Sequence, residues 1–202
     1  MKIILFFLFL PSLLFGQSFE GEIKYRFKIQ TERESIRKVF EDIQPEYFDL
    51  LYKENKMREL SPDNAPYYLE NGLQDYSIKP EQKEILNTDW NGEKQQEKKL
   101  FKTRKDSVIL NKKCTLYQDT ENKQNEYWIT DEIQPKVIGC KGLIYQGKAV
   151  LYQKVLTPNS VFEFQALEIN PKSIADVLFE LPKNYKIIKM KPVKIGNIYP
   201  SF

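Results

Sequence analysis

Strict alternation of apolar and polar residues is the main hydrophobic pattern of this chain. It is clearest in residues 20–30, EGEIKYRFKIQ, where Ile23, Tyr25 and Phe27 alternate with charged residues. A period of two is typical of an antiparallel strand that has one face on the core and the other in water. Further short segments of this kind follow, with turn residues roughly every 8–12 positions, as at Asn71-Gly72. We therefore predict a mainly β (β-rich α+β) fold, a curved antiparallel sheet or partial barrel of about ten strands.

Helical spacing is limited to two short segments. Residues 35–43 (SIRKVFEDI) place apolar side chains three and four positions apart, and Ser35 is a candidate N-cap. An irregular crossover fits this segment as well, and Pro45 ends whatever forms there. Residues 172–179 (KSIADVLF) repeat the helical spacing. One or two short helices are therefore expected beside the sheet.

The first residues have the composition of a secretory signal peptide. Lys2 precedes an apolar run that Pro11 interrupts, and small Gly16 leads into polar Gln17. A retained membrane anchor is the alternative, but the run is shorter than the roughly 18–20 apolar residues that a span needs. We expect a signal peptide over 1–16, cleavage near Gly16/Gln17, and a single β-rich domain over 17–202. With no later apolar span, the expected location is periplasmic or extracellular.

The charge balance argues against a nucleic-acid partner. The 202 residues include 31 Lys and Arg and 28 Asp and Glu, and cleavage of the signal peptide removes only Lys2 among them. Nucleic-acid-binding domains usually carry a clustered basic footprint. No nucleic acid is therefore expected as a partner. The 12 Tyr and 13 Phe indicate instead a chain that buries a real core.

Two cysteines in an exported chain predict a disulfide. An oxidising compartment favours pairing of Cys114 with Cys140, and closing a loop of about 25 residues is worth roughly 3–3.5 kcal/mol in the chain-entropy model. Two buried free thiols are the alternative.

Catalytic chemistry is restricted because the chain has no histidine. Nucleophile systems with an imidazole base are excluded, zinc sites lack their usual ligands, and no phosphate-binding glycine motif is present. We expect no metal site, no cofactor and no enzymatic activity. Paired carboxylates are the remaining acid–base option, although solvent-exposed charge is the more common role of such residues. The candidates are Asp131, Glu132, Glu163 and Glu168.

A basic C-terminal stretch follows the last acidic residue, Glu180. Its lysines could contact an anionic surface, but lysines on a final strand more often protect a sheet edge from pairing with another molecule. These residues are Lys183, Lys186, Lys189, Lys191 and Lys194.

The aromatic residues of a curved sheet either fill its core or enclose an apolar ligand. Packing within the core is the more common outcome for such rings. If a ligand cavity exists, the expected lining residues are Tyr25, Phe27, Tyr117, Trp128, Tyr152 and Phe164.

Several short motifs in fixed order resemble those of a known protein group. They are Gly21-x-Ile23-x-Tyr25, Cys114-x-x-Tyr117, Tyr127-Trp128-Ile129-Thr130, Gly142-Leu143-Ile144 and Leu181-Pro182-x-x-Tyr185. In this order the chain resembles the exported GLPGLI family of Bacteroidetes and the related DUF4412 group, although Gly139-Cys140-Lys141 departs from the GLPGLI signature. Both groups are similar to the LolA/LolB-like lipoprotein-carrier fold, an antiparallel sheet curled around a helix.

The resemblance implies binding of a lipid or another apolar molecule and transfers no catalytic residue. The leading hypothesis is thus a non-enzymatic exported envelope protein that binds an apolar ligand in a curved sheet. An envelope structural or protein-interaction module is the alternative, with an envelope protein as its partner. A carboxylate-dependent hydrolase is the second alternative.

Overall fold

The computed structural model describes residues 18–60, 67–70, 74–89, 99–137 and 143–190. One α-helix, α1 (Glu34–Ile43), follows the first strand. The strands are β1 (Gly21–Thr31), β2 (Tyr47–Lys53), β3 (Lys56–Leu60), β4 (Tyr67–Glu70), β5 (Gln74–Lys79), β6 (Glu84–Asp89), β7 (Leu100–Ile109), β8 (Lys112–Asp119), β9 (Glu126–Thr130), β10 (Ile144–Tyr145), β11 (Lys148–Thr157), β12 (Ser160–Pro171) and β13 (Lys186–Met190).

These strands form a single sheet that is not closed into a barrel. Its order is β13-β6-β5-β4-β3-β2-β1-β12-β11-β9-β8-β7, and short β10 pairs with β11. Every pairing among the described strands is antiparallel except that of β13 with β6. The predicted β-rich fold is confirmed, with thirteen strands in place of about ten.

One face of the sheet carries the main hydrophobic core. The alternation in β1 buries Ile23, Tyr25 and Phe27, as the sequence pattern predicts. Directly opposite Phe27 lies Phe164 of β12, and their ring centroids are 4.9 Å apart. Phe48 of β2 stacks on Tyr25 at 5.7 Å and extends the same core. We call this side of the sheet the core face.

Tyr25 shows that the sheet curves toward the core face. Its hydroxyl donates a buried hydrogen bond of 3.0 Å to the carbonyl oxygen of Val150 on β11. In a flat sheet β1 and β11, with β12 between them, would lie about 9.6 Å apart. A tyrosine side chain spans this gap because the strands bend around it. The core face is therefore concave.

A second, smaller hydrophobic cluster lies on the opposite face. Leu51 points there because its neighbours Leu50 and Tyr52 point into the core face. A 3-10 turn, Asp176–Phe179, covers Leu51 with Ile174 and Phe179. The predicted helix over 172–179 is thus wrong in length: four residues form a 3-10 turn, and the carbonyl of Ile174 accepts a 2.7 Å hydrogen bond from Lys53.

Beyond that cluster, the convex face carries charged cross-strand pairs along β1, β2, β11 and β12. Cross-strand neighbours alternate in charge, since Lys28 lies opposite Glu163 and Glu163 opposite Lys154. Likewise Lys24 lies between Asp49 on β2 and Glu168 on β12. Opposite charges in such pairs stabilise the ladder modestly. The wet face predicted for β1 is confirmed.

Removal of the Tyr25 hydroxyl should destabilise the fold. In Tyr25→Phe the buried carbonyl of Val150 loses its donor, so we expect a loss of about 1–2 kcal/mol of unfolding free energy. Urea denaturation measures it. Tyr47→Phe is the control, because Tyr47 is 45% exposed and should change nothing. Equal stability of both variants would contradict the account of the curved sheet.

The Asp49 carboxyl should destabilise the fold as the pH rises, which is the opposite of what a carboxyl with a lowered pKa does. Burial, aided by Glu22, raises the pKa of Asp49 above 3.8 despite nearby Lys24 and Lys172. A raised folded-state pKa favours folding when the carboxyl is protonated, and this contribution is lost as the pH rises through that pKa. Asp49→Asn should therefore raise stability at pH 7, with a gain that disappears toward pH 3.8.

Asp176→Asn provides the matched control with the opposite sign. A hydrogen bond from Lys53 at 2.9 Å lowers the pKa of Asp176, so its contribution exists at neutral pH and disappears in acid. Melting temperatures of both variants across this pH range test the assignment. A lower melting temperature of Asp49→Asn at neutral pH would show that burial is not the main influence on the pKa of the Asp49 carboxyl.

Candidate functional site

Helix α1 packs beside β1, where its Phe40 lies against Phe27 of the core face. Ile36 and Phe40 are half-buried, while Val39 is 55% exposed. The helix begins after Arg33 without a side-chain cap, so the predicted Ser35 cap is wrong. The remaining residues of α1 whose side chains are described are exposed. Among the described side chains of α1, those of Ile36 and Phe40 are thus the least exposed.

A cavity of about 480 Å³ lies between α1 and β1. Phe27 and Ile29 contribute its apolar wall, and the segment that follows α1 contributes its polar rim. The lining is Phe27, Lys28, Ile29, Gln30, Glu41, Gln44, Pro45 and Glu46.

A neighbouring hollow of about 550 Å³ shares Gln30 with this cavity. It lies where β1 ends beside the turn between β11 and β12, which includes Pro158 and Asn159. Both hollows therefore adjoin at the α1 end of the sheet.

Three phenylalanines of the sheet, Phe27, Phe162 and Phe164, lie beneath α1. Phe40 of the helix contacts Phe162 of β12 edge-on at 4.8 Å between ring centroids and lies 6.5 Å from Phe27. Phe27 in turn contacts Phe164. The Phe40 ring therefore joins the helix to both β1 and β12.

From Phe27 a single row of side chains crosses the core face. Successive cross-strand partners are Phe27, Phe164, Gln153, Tyr127 and Tyr117, on β1, β12, β11, β9 and β8. We call these five residues the transverse row. The first four are buried, and Tyr117 at the far end is half-buried and lies 5.8 Å from the ring of Tyr145.

Gln153 is the polar residue in the middle of this row. Its side chain has no exposed surface, and neither amide atom has a hydrogen-bond partner among the residues that the structure describes. On either side stand the rings of Phe164 and Tyr127, and burial raises the pKa of Tyr127. A buried amide of this kind costs stability unless something binds it.

The six predicted lining residues do not share one face. Tyr25, Phe27, Tyr117 and Phe164 lie on the core face, as their cross-strand partners show. Trp128 and Tyr152 face each other on the convex side, because their neighbours in sequence, Tyr127 and Gln153, point to the core face.

Tyr152 also has a polar partner on the convex side. Its hydroxyl donates a 3.0 Å hydrogen bond to Glu163, and burial together with this carboxylate raises the pKa of Tyr152. Trp128 nevertheless packs against the main core. Whether any of the six predicted residues contacts a ligand stays a prediction.

Cys114 lies on β8 opposite Thr130 and is fully buried. Burial raises the pKa of its thiol to about 11. Cys140 lies outside the described residues, and so the predicted disulfide stays a prediction.

The candidate carboxylates are occupied by cationic and hydrogen-bonding partners. Asp131 contacts Lys148 at 2.6 Å. Glu132 accepts hydrogen bonds from the backbone of Lys113 and from Lys112, which hold its pKa below the ordinary value. A general acid needs a raised pKa, so Glu132 is poorly suited to that role.

These carboxylates do share a hollow. Asp106, Asp131 and Glu132 line a space of about 510 Å³ beside β7 and β8. In the described part of the chain, no group of three or more acidic, cysteine or histidine residues is arranged to hold a metal ion. Glu163 and Glu168 lie elsewhere, on β12. The hydrolase hypothesis stays a prediction.

The basic C-terminal stretch forms an edge of the sheet. Lys186 and Lys189 are exposed on β13, which pairs only with β6 among the described strands. This is the position expected of lysines that protect an edge. Lys183 precedes the strand, and Lys191 and Lys194 lie outside the described residues. Within the described ranges, no helix is long and apolar enough to cross a membrane.

No family model and no curated protein matches the sequence. Among solved structures, PNGF-II in its P21 crystal form matches with a TM-score of 0.54 and 13% identity, over 87% of this chain and 32% of the PNGF-II chain. Its C2 crystal form matches with a TM-score of 0.52 and 14% identity, over 86% of this chain and 31% of the PNGF-II chain. Identity at this level shows a similar fold alone. The chain spans about a third of the length of PNGF-II.

Two more distant structures also match. The Mycobacterium tuberculosis lipoprotein LppX matches with a TM-score of 0.38 and 7% identity, over 77% of this chain and 89% of the LppX chain. A LolA superfamily protein from Nitrosomonas europaea matches with a TM-score of 0.38 and 8% identity, over 83% of this chain and 92% of its own chain. TM-scores this low carry no argument. Membership of the GLPGLI or DUF4412 group and the LolA-like relationship stay predictions.

The period-two pattern of β11 marks Gln153 as an exception, although the amino-acid composition alone does not. Leu151 and Val155 point with it to the core face, where the period-two pattern calls for an apolar residue. A polar residue at such a position signals either a strained core or a binding group. Phe40 is less visible in the sequence, because helical spacing does not show what its ring contacts.

The disulfide can be tested by counting thiols. If Cys114 and Cys140 are bonded, no thiol should react with a maleimide in denaturant without reductant, and two should react after reduction. Cys114→Ser, the matched control, should show one reactive thiol without reductant. Two reactive thiols in the unreduced wild-type protein, scored by intact mass, would rule the bond out.

Proposed function

We propose that this protein is an exported, non-enzymatic binding protein that holds an apolar chain beneath α1, against the concave face of its sheet. The observation that supports it most is the cavity of about 480 Å³ between α1 and β1, which opens on Phe27. Small-molecule sites commonly have volumes of about 300–1,000 Å³, largely apolar walls and a few polar groups. The cavity has a volume in this range, and its lining combines the apolar Phe27, Ile29 and Pro45 with five polar residues.

The weak attachment of α1 favours entry of a ligand there. Moving the helix breaks the contacts of Phe40 with Phe27 and Phe162, while the strands keep their hydrogen bonds. Burial of an alkyl chain gains about 0.8 kcal/mol per methylene group. A chain of several methylenes therefore compensates for the lost aromatic contacts. Helix α1 would act as a movable cover.

Two other hypotheses from the sequence predict different behaviour. An envelope interaction module would use the sheet edges β7 and β13 and should be recovered with a protein partner after crosslinking in cells. A hydrolase would use carboxylates such as Asp131 and Glu132, and both of these already have cationic partners. Neither of these two hypotheses is supported by a described cavity with an apolar floor.

The proposal can be tested on protein purified from its own cells. Extraction with organic solvent followed by mass spectrometry should recover a lipid or other apolar molecule in near-stoichiometric amount. The stripped protein should then bind the neutral apolar dye N-phenyl-1-naphthylamine with a rise in fluorescence. The proposal fails if the purified protein carries no such molecule and the stripped protein does not bind the dye.

Replacement of Phe40 should weaken binding without unfolding the sheet. Phe40→Ala removes the ring that packs against Phe162 and against Phe27, which lines the cavity, so we expect about a tenfold weaker dye affinity, equivalent to about 1.4 kcal/mol. Val39→Ala on the same helix is the control, because Val39 is largely exposed and should bind as the wild type does. Equal losses in the two variants would contradict a site beneath α1.

A further inference from the structure

We propose that Gln153 determines the specificity of this site by binding an uncharged hydroxyl or amide group at the inner end of the apolar ligand. The inference rests on the proposed function. It starts from the buried side-chain amide of Gln153, whose nitrogen and oxygen both lack partners among the described residues. Such an amide offers two donor hydrogens and one acceptor oxygen.

The transverse row connects Gln153 to the cavity. Phe27 lines the cavity, Phe164 is its direct neighbour on β12, and Gln153 is the next residue across, on β11. Two strand spacings are about 9.6 Å. A chain that enters beneath α1 and displaces the phenylalanine rings must therefore extend about 9.6 Å beyond β1 to bring its far end to Gln153.

The charges of the site favour a neutral polar group over a carboxylate. The immediate neighbours of Gln153 in the row are Phe164 and Tyr127, neither of which is cationic. An ionised group buried without a cationic partner is strongly disfavoured. At the rim, Glu41 and Glu46 accompany the single cation Lys28, which also disfavours an anionic ligand. A hydroxyl or amide can donate to and accept from the Gln153 amide without any such penalty.

The test compares ligands of one chain length by displacement of N-phenyl-1-naphthylamine. Wild-type protein should bind 1-decanol about tenfold more tightly than decane, the value of one well-made hydrogen bond of about 1.4 kcal/mol, and decanoate most weakly. Gln153→Leu should bind decanol and decane equally. Gln165→Leu is the control, because Gln165 lies on the convex face, where it accepts a hydrogen bond from Arg26 at 2.7 Å, and should keep the preference.

Stability provides a second, independent measurement. Removal of an unpaired buried amide should raise the melting temperature of unliganded Gln153→Leu by about 2–8 °C. Gln153→Met, with an unbranched side chain of similar length, guards against a packing fault in the leucine variant. A lower melting temperature in both variants would show that the amide is already satisfied, and it would overturn the inference.

The remaining outcomes separate this inference from the proposed function. If wild-type protein binds the dye and decane but shows no preference for decanol, or if Gln153→Leu retains the preference, Gln153 has no role in specificity and the cavity proposal stands. If wild-type protein binds neither the dye nor any ten-carbon ligand, the proposed function fails and this inference fails with it.

Discussion

The pairing of β1 with β12 is the constraint on which the rest of the structure depends. It runs from Gly21 opposite Pro171 to Thr31 opposite Ser160, and it joins β1–β6 to β7–β12. Each half is otherwise built largely from local hairpins, so this pairing closes the longest loop in the sheet. Within it the rings of Phe27 and Phe164 contact each other at a tilt of 39°. Loss of this register would separate both halves of the core.

The same pairing gives the two faces of the sheet different properties. Ile23, Tyr25 and Phe27 build a concave hydrophobic face, while Lys24 and Lys28 meet carboxylates on the convex one. A segment of the chain with Ile174 and Phe179 covers part of the convex face. The concave face has a much lighter cover at the α1 end. The proposed ligand site lies at this end because apolar surfaces that the fold leaves incompletely covered often mark binding sites.

The sequence predicts the fold well because its strands are local and strongly patterned. The β1 alternation and the hairpin of β11 and β12 appear as the period-two pattern requires. Strand order is less accessible, since nothing in the local pattern of residues 185–190 predicts that β13 lies parallel to β6. The short 3-10 turn at Asp176–Phe179 also departs from its helical pattern, because it packs over Leu51 in a tight space.

The candidate site is only partly predictable for a related reason. Tyr25, Phe27 and Phe164 share a face because alternation along β1 and β12 and the pairing of these strands fix their direction. Trp128 and Tyr152 alternate with Tyr127 and Gln153, and the register of β9 with β11 sets them opposite each other. A bulge between Val150 and Tyr152 shifts that register. Bulges re-aim side chains and leave little trace in the sequence. Composition alone therefore names aromatic residues without assigning them to the correct face.

A crystal structure with 10-bromo-1-decanol tests the central claim most directly. The account predicts anomalous bromine signal in the cavity near Phe27 and Phe40, with the hydroxyl oxygen within about 2.7–3.2 Å of a Gln153 amide atom. Helix α1 should move outward while the β1–β12 register is retained. A bromine bound only outside this cavity, with α1 and the transverse row unchanged, would contradict the account.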